Sequence, residues 1–297
     1  MAPADSARIG LHSVGLSGVR KPLHVNRPDR AVVLSVEFEL TVDLPAHRKG
    51  SDLSRNSELL AEIVDRTAQR PAVSLEAACA DIARELLIRH PTAQRSAVEA
   101  EAEYFLRKGP TPERSSLEAY TLFAGALGTR APGGAVAVTR SVGAEAIGMT
   151  ACPCAMETCR ELLLREYPRL ADPSLESLPM ITHNQRNRTR LLFELPDAGT
   201  TEVDRMLAAI EGAQSAETFD ILKRGDEAAV VVRAHRNPKF VEDVLRSLLT
   251  GLPQRFPELP DTVGIYAQTV SEESIHKYNV MAAHRTTLGE LRRGGPP

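Results

Sequence analysis

The chain has 297 residues, of which 42% are hydrophobic and 25% are charged, a composition typical of globular proteins. A net charge of −3 gives no electrostatic support for general nucleic-acid binding, and 4% aromatic residues without Trp argue against a surface that stacks single strands. No apolar run reaches the roughly 18 residues of a membrane span, and the start lacks the apolar stretch of a signal peptide. We therefore expect a cytoplasmic protein that binds neither nucleic acid nor a membrane.

The first half of the chain predicts the order strand, strand, helix, helix, strand, strand. Apolar and polar residues alternate from Ala31 to Leu44, as in a half-buried strand of an antiparallel sheet. A short strand and turn at residues 10–25 precede it. The periodicity then predicts helices at residues 58–70 and 74–90, and strands at residues 98–104 and 117–127 around a polar turn at 109–116. The Pro132-Gly133-Gly134 turn predicts a boundary, so that residues 1–130 form an N-terminal half with a disordered start.

The second half, residues 131–297, predicts the same order with one extra helix. Strands are expected at residues 135–150 and 180–195, with the extra helix at 153–165 between them. Helices at 202–211 and 238–252 follow, the second carrying the apolar stripe Phe240, Val241, Val244, Leu245, Leu248 and Leu249. A strand at 262–269 and a final segment at 279–291 close the chain. Both halves thus predict the pattern ββααββ, an α+β fold with antiparallel sheets.

The stretch from Gly148 to Glu157 carries the sequence Cys-Pro-Cys between a predicted strand and a predicted helix. Because the fixed φ of proline suits the first helical turn, we expect Cys152 near the N-cap and Cys154 within the first turn. The positive end of a helix dipole favours a thiolate, which is the form that binds metal ions and reacts. With His183 and several carboxylates on other elements, these thiols predict an open site for a divalent metal ion.

Five motifs carry a resemblance to a known family. In chain order they are Cys-Pro-Cys, Thr-His-Asn-Gln-Arg, Leu-Lys-Arg-Gly-Asp-Glu, Asn-Pro-Lys-Phe-Val-Glu-Asp and Glu-Glu-Ser-Ile-His. Together they resemble the prokaryotic GTP cyclohydrolase IB family and its archaeal methanopterin-pathway relatives, from about Val14 to about Arg292. The resemblance implies a tandem tunnelling fold, in which sheets of several subunits close into a barrel with helices outside. It also implies a homo-oligomer, with a tetramer as the expected form.

The resemblance further implies the activity and the residues that perform it. The expected reaction is hydrolysis of GTP to formate and a 7,8-dihydroneopterin phosphate, either the triphosphate or the 2′,3′-cyclic phosphate, for pterin and folate biosynthesis. One divalent metal ion, Fe2+, Zn2+ or Mn2+, would be bound by Cys152, His183 and Glu217. The implied catalytic residues are Cys154, His276 and Glu273. The implied substrate-binding residues are Arg55, Arg186, Lys223, Arg224 and Glu227.

The chain departs from the bacterial pattern at two places. Asp52-Leu53 stands where bacterial members usually have His-Met, which favours the archaeal branch. Val232 stands where many bacterial members carry a Glu that helps to hold the purine. Glu227 and Glu273 are therefore the candidate replacements for that anchor.

Three other interpretations remain open from the residues. Cys-Pro-Cys with His183 would suit a structural zinc site in a non-catalytic oligomeric scaffold, although His276 and Glu273 would then have no role. A tunnelling-fold enzyme that acts on another purine or pterin is the second interpretation, and the missing anchor supports it. A thiol redox protein is the third, weakened because the motif is Cys-x-Cys rather than Cys-x-x-Cys. Cys79 and Cys159 are expected to pack in the core, and His235 and His284 to serve structure.

Overall fold

The computed structural model describes residues 9–27, 30–173, 178–196, 199 and 201–294. The chain divides into two compact units. The first runs up to Tyr104 and includes Thr121–Gly143 and Phe193–Thr201. The second comprises Phe105–Tyr120, Ala144–Leu192 and the chain from Glu202 onward. The predicted boundary after residue 130 stays a prediction.

The first elements follow the predicted order. They are β1 (Leu11–Asn26), β2 (Ala31–Leu44), α1 (Ser54–Gln69), α2 (Leu75–Arg89), β3 (Arg95–Thr111) and β4 (Arg114–Arg130). Strand β1 is longer than the predicted short strand and turn, and its pairing with β2 shifts register between Leu11 and Val14 and between Leu16 and Val19. Gly18 lies in the second of these irregularities with φ of +68°, a conformation that glycine adopts without strain.

The later elements repeat the pattern with insertions. They are β5 (Val136–Ala151), α3 (Pro153–Glu166), a short 3-10 helix (Pro168–Ala171), β6 (Asn184–Pro196), α4 (Val203–Ala213), β7 (Ala216–Glu217), α5 (Arg224–Arg236), α6 (Val241–Arg255), β8 (Gly264–Glu272), β9 (Val280–Thr287) and α7 (Leu288–Arg292). Without α3, the 3-10 helix, β7 and α5, the order from β5 to β9 is again ββααββ, as predicted. Among the described residues, no helix has both the length and the apolar character needed to cross a membrane.

The strands are hydrogen-bonded in the order β1-β2-β3-β4-β5-β6-β8-β9, and β7 pairs with β5. The pairings β1 with β2, β2 with β3, β5 with β7 and β8 with β9 are antiparallel. In β2 the burial alternates along the strand, because every second side chain points to the same face. The α+β class with an antiparallel sheet is thereby confirmed.

Helix α6 buries most of the predicted stripe, but one member differs. Phe240 is the N-cap residue of α6 and is 44% exposed, so its assignment to the core stripe was wrong. Helix α5 was missed because only Val230 and Ala234 on it are buried, which leaves no apolar stripe to recognise. The strand predicted from residue 180 begins only at Asn184. Cys79 is fully buried, as expected of a packing residue, and burial raises the pKa of its thiol.

Candidate active site

The Cys-Pro-Cys motif forms the start of helix α3. Cys152 is the N-cap residue with extended backbone angles, and Pro153 occupies the first helical position. The Sγ atom of Cys152 accepts a hydrogen bond from the backbone N–H of Ala155 at 3.5 Å. Cys154 lies in the first turn and is exposed. The predicted local structure of the motif is therefore confirmed.

The segment before β6 is attached to the start of α3. The backbone N–H of Cys152 donates to the carbonyl of His183 at 3.2 Å. The hydroxyl of Thr182 donates to the carbonyl of Cys152 at 2.7 Å. These two bonds explain why residues 180–183 do not extend β6, since their polar groups bind the turn before α3. They also bring two predicted metal ligands, Cys152 and His183, next to each other.

A cavity of about 230 Å³ lies beside these residues in the second unit. Its lining residues are Thr150, Cys152, His183, Gln185, Lys239, Phe240, Val241, Glu242, Ser271, Glu273, His276, Tyr278 and Val280. Four of the predicted site residues, Cys152, His183, Glu273 and His276, thus line one cavity although they come from different parts of the chain. A thiol, two imidazoles and a carboxylate in one concave site are groups suited to hydrolytic catalysis.

The carboxylate of Glu273 lies close to the imidazole of His183. Their nearest atoms, Oε2 and Nδ1, are 3.9 Å apart, and the two side chains are only 10% and 14% exposed. The hydroxyl of Ser274 lies 3.3 Å from the same Nδ1 atom. His276 is exposed at the edge of the cavity, where its ring stacks on Tyr278 with centroids 5.0 Å apart and planes 9° from parallel. His276 is therefore accessible to a molecule that enters the cavity.

Lys239 is a cationic residue of the cavity lining. Its backbone N–H donates to the carbonyl of Ala151 at 3.0 Å, which ties the segment before α6 to the end of β5. Its ammonium donates to the carbonyl of Ala213 at 2.7 Å. Burial lowers the pKa of this ammonium, with the charge of Asp243 acting in the opposite direction. The side chain is thus held in place by the fold and directed to a partly desolvated position.

Glu217, the third predicted ligand, lies next to β5 rather than on it. It is on β7, where it pairs with Gly148, and it does not belong to the residues that line the cavity. Gly148 is required there, since a Cβ atom would lie 2.3 Å from Cγ of Gln214. The exposed Cys154 does not line the cavity either. Their roles as metal ligand and catalytic thiol stay predictions.

The predicted substrate-binding residues also lie outside the cavity lining. Lys223, Arg224 and Glu227 are exposed at the start of α5, whose first turn is capped by the Asp226 carboxylate at 3.1 Å from the backbone N of Lys223. This helix start presents two cations together with the carboxylates of Asp226 and Glu227 in the same turn. The remaining two are Arg186, which is exposed on β6, and Arg55 of the first unit, which binds the carbonyl of Arg89 at 2.7 Å and Asp52 at 3.0 Å.

The side chains that line the cavity include part of the ligand set expected for a divalent metal ion. Within residues 9–27, 30–173, 178–196, 199 and 201–294, no group of three or more His, Cys, Asp or Glu side chains is arranged to hold a metal ion. Cys152 and His183 nevertheless provide neighbouring thiol and imidazole groups, which Zn2+ and Fe2+ both accept. The structure thus places two of the three predicted donors together.

Three cavity residues were missed as functional candidates. Gln185 belongs to the Thr-His-Asn-Gln-Arg motif, so the sequence marked it, but no function was assigned to it. Phe240 resembled a core residue because it continues the apolar spacing of α6. Tyr278 lies just beyond the Glu-Glu-Ser-Ile-His motif, and only the fold reveals its stacking on His276.

Comparison with known proteins identifies the family. The protein-family model described as "Type I GTP cyclohydrolase folE2" matches residues 2–282 of this chain. The chain belongs to this GTP cyclohydrolase family. It is 39% identical over 292 residues to GTP cyclohydrolase MptA of Methanococcoides burtonii, covering 96% of this chain and 92% of the relative. It is 35% identical over 294 residues to MptA of Methanothermobacter thermautotrophicus, covering 97% and 92%. The family predicted from five motifs is confirmed.

Solved structures show the fold alone. The uricase of Arthrobacter globiformis matches with a TM-score of 0.57 at 8% identity, covering 95% of this chain and 96% of that one. The uricase of Bacillus fastidious matches with a TM-score of 0.53 at 10% identity, covering 95% and 94%. The predicted tunnelling fold is thereby confirmed for this chain.

Proposed function

We propose that the protein is a metal-dependent GTP cyclohydrolase that hydrolyses GTP to formate and a 7,8-dihydroneopterin phosphate for pterin biosynthesis. The observation that carries the proposal is the meeting of Cys152 and His183 in one cavity with Glu273 and His276. Membership of the folE2 family gives this constellation its substrate. The finer assignments below belong to the same proposal.

Cys152 and His183 would hold one divalent ion, with Glu217 as the third predicted ligand. A divalent ion bound by these residues would lower the pKa of water and so provide the hydroxide that hydrolysis of the guanine ring at C8 requires. The thiolate and imidazole also accept Fe2+, Mn2+ or Zn2+, so the ligand set does not select one of these ions. The remaining steps depend on the side chains around the cavity.

Opening of the imidazole ring of GTP requires protons at the nitrogens that leave C8. His276 is exposed at the edge of the cavity and is the residue that we assign to deliver a proton to N7 or N9 of the base. Its stacking on Tyr278 holds the ring in one orientation. Cys154, exposed on the same helix start as Cys152, would act as the second proton carrier or as a transient nucleophile.

The rest of the substrate would be bound by charges and aromatic rings. Lys223 and Arg224 at the start of α5, with Arg186, are the proposed partners of the triphosphate, and Arg55 keeps only the role that the resemblance implies. Glu273 is the proposed anchor of the guanine base, with Glu227 as the alternative. Phe240 lines the cavity with 44% of its surface exposed, so its ring is available to contact the base.

We propose 7,8-dihydroneopterin 2′,3′-cyclic phosphate as the product, with release of diphosphate, because Asp52-Leu53 favours the archaeal branch. We also propose that the protein acts in the cytoplasm as a homotetramer. The terminal strands β1 and β9 support assembly, because each offers a free edge in the strand order of the described sheet.

Anaerobic reconstitution tests the proposal. Metal-free protein is incubated with GTP and Fe2+, Mn2+ or Zn2+, and formate and fluorescent oxidised pterin are measured. We expect both products in equal amounts with at least one ion, and chromatography distinguishes the triphosphate from the cyclic phosphate. Metal uptake without either product would refute the activity and favour a structural metal site or another purine substrate.

A further inference from the structure

Gln185 connects two of the site residues through one buried amide. It lies on β6 and is only 6% exposed. Its Nε2 atom is 2.9 Å from Nδ1 of His183 and donates to Oε2 of Glu273 at 3.2 Å. A predicted metal ligand and a predicted catalytic carboxylate therefore share one polar neighbour.

The amide lies against the flat side of the His183 ring. Its Nε2 atom is 3.5 Å from Nε2 of the imidazole, only slightly farther than from Nδ1. An amide in line with the Nδ1 lone pair would be much farther from the other ring nitrogen. The contact therefore restrains the plane of the ring and leaves the edge of the imidazole available for a ligand.

The hydroxyl of Thr150, which is itself in contact with the hydroxyl of Ser271, fixes the orientation of the amide. The Thr150 hydroxyl on β5 donates to Oε1 of Gln185 at 3.2 Å, and it lies 3.4 Å from the Ser271 hydroxyl on β8. Thr150 and Ser271 are 2% and 4% exposed. With Oε1 occupied, the NH2 group of Gln185 must point towards His183 and Glu273. Three neighbouring strands of the second unit thus determine where the amide points.

We propose that Gln185 is a positioning residue that orients the His183 imidazole for metal binding and holds the Glu273 carboxylate beside it. This inference rests on the proposed metal-dependent function. Groups that orient a metal-binding histidine typically change metal affinity by about 10-fold to 100-fold when removed. A residue that only filled space would show no such effect when replaced by an apolar side chain of equal size.

The first test is Gln185→Leu, which keeps the volume of the side chain and removes the amide. Co2+ is the probe, because its visible absorption responds to the geometry of thiolate and imidazole ligands. We expect the Co2+ dissociation constant to rise about tenfold or more, and kcat to fall at saturating metal with a smaller change in KM. Gln268→Leu, the same substitution on β8 outside the cavity lining, is the matched control and should leave both quantities unchanged.

The second test exchanges the two partners. Gln185→Glu alone places two carboxylates at the 3.2 Å contact, so Co2+ binding should weaken or its spectrum should change. The double variant Gln185→Glu with Glu273→Gln restores an amide and a carboxylate at the same contact, and it should recover part of the lost Co2+ affinity. This recovery does not require turnover, which we expect the loss of Glu273 to suppress.

The outcomes separate this inference from the proposed function. Wild-type affinity and spectrum in both Gln185→Leu and Gln185→Glu would overturn the positioning role, as would equal losses in Gln268→Leu. A wild-type protein that binds Co2+ but releases no formate from GTP would refute the cyclohydrolase function, while the Co2+ titrations still decide the role of Gln185. A wild-type protein that binds no Co2+, Zn2+ or Fe2+ would overturn the inference together with the metal site.

Discussion

The backbone N–H of Cys152 donates to the carbonyl oxygen of His183 over 3.2 Å. This bond joins the start of helix α3 to the residue just before strand β6. The backbone conformation at Cys152 therefore depends on that at His183, and the reverse is also true. The positions of the thiol and the imidazole are thus properties of one hydrogen-bonded unit, which the Thr182 hydroxyl completes.

Thr182→Val should loosen this unit. The substitution removes the hydrogen bond of 2.7 Å to the carbonyl of Cys152 and leaves the shape of the side chain nearly unchanged. We expect a loss of about 1 kcal/mol in the free energy of unfolding, together with weaker metal binding. Urea denaturation and a Zn2+ competition assay measure the two effects. Thr139→Val, at an exposed position of β5, is the control, and an equal loss there would contradict a specific role for Thr182.

Cys152→Ala and His183→Ala should each remove the metal ion and the activity together. The physical reason is that each substitution deletes one of the two neighbouring donors, which leaves too few ligands for tight binding. We expect a metal content near zero and a fall in kcat of at least about a thousandfold. Cys159→Ala, which removes a thiol from the same helix, should retain both. Full metal occupancy in the first two variants would refute their assignment as ligands.

Cys154→Ala should separate metal binding from turnover. Its thiol is exposed and does not line the cavity with Cys152, so its loss should leave the metal content unchanged. If it carries protons or forms a transient bond, kcat should fall by about a hundredfold or more. Metal analysis and formate release on the same preparation measure both quantities. Unimpaired turnover would reduce Cys154 to a structural residue.

His90 should make the stability of the protein depend on pH. Burial lowers the pKa of this imidazole from its ordinary value of 6.5. The charges of Arg55 and Arg48 also lower this pKa, whereas the charge of Asp52 raises it. The folded protein resists protonation of His90. The contribution of His90 to the free energy of unfolding is therefore present above pH 6.5 and is lost as the pH falls through the lowered pKa. Stability should therefore decrease on acidification.

A comparison with His90→Gln isolates this effect. Glutamine does not titrate, and it can still donate to Oδ1 of Asn56, which lies 2.7 Å from Nε2 of His90. The free energy of unfolding of the variant should fall less than that of the wild type between about pH 7.5 and pH 5. Parallel curves for the two proteins would show that His90 does not contribute.

Much of the fold was predictable because burial imposes a period on the sequence. Strand β2 alternates along its length, and α6 buries one stripe, so both were recognised. Helix α5 was not, because it buries only Val230 and Ala234 and its remaining surface gives no periodic signal. The two-residue strand β7 is too short to carry any period.

The site was predictable where one motif fixes one local structure. Pro153 after Cys152 determines a helix start, and this was predicted correctly. The contact of Gln185 with Glu273 joins β6 to the end of β8, and no local pattern reports which residues such strands bring together. For the same reason the sequence did not reveal that Glu217 pairs with Gly148 on β5.

The fate of C8 of the guanine ring tests the central claim most directly. Reconstituted protein is incubated anaerobically with GTP labelled with carbon-13 at C8, and the label is followed by NMR. The cyclohydrolase function predicts that the label appears in formate, with one unlabelled pterin formed for each formate. Label retained in an intact purine, in protein shown to contain its metal ion, would contradict the account.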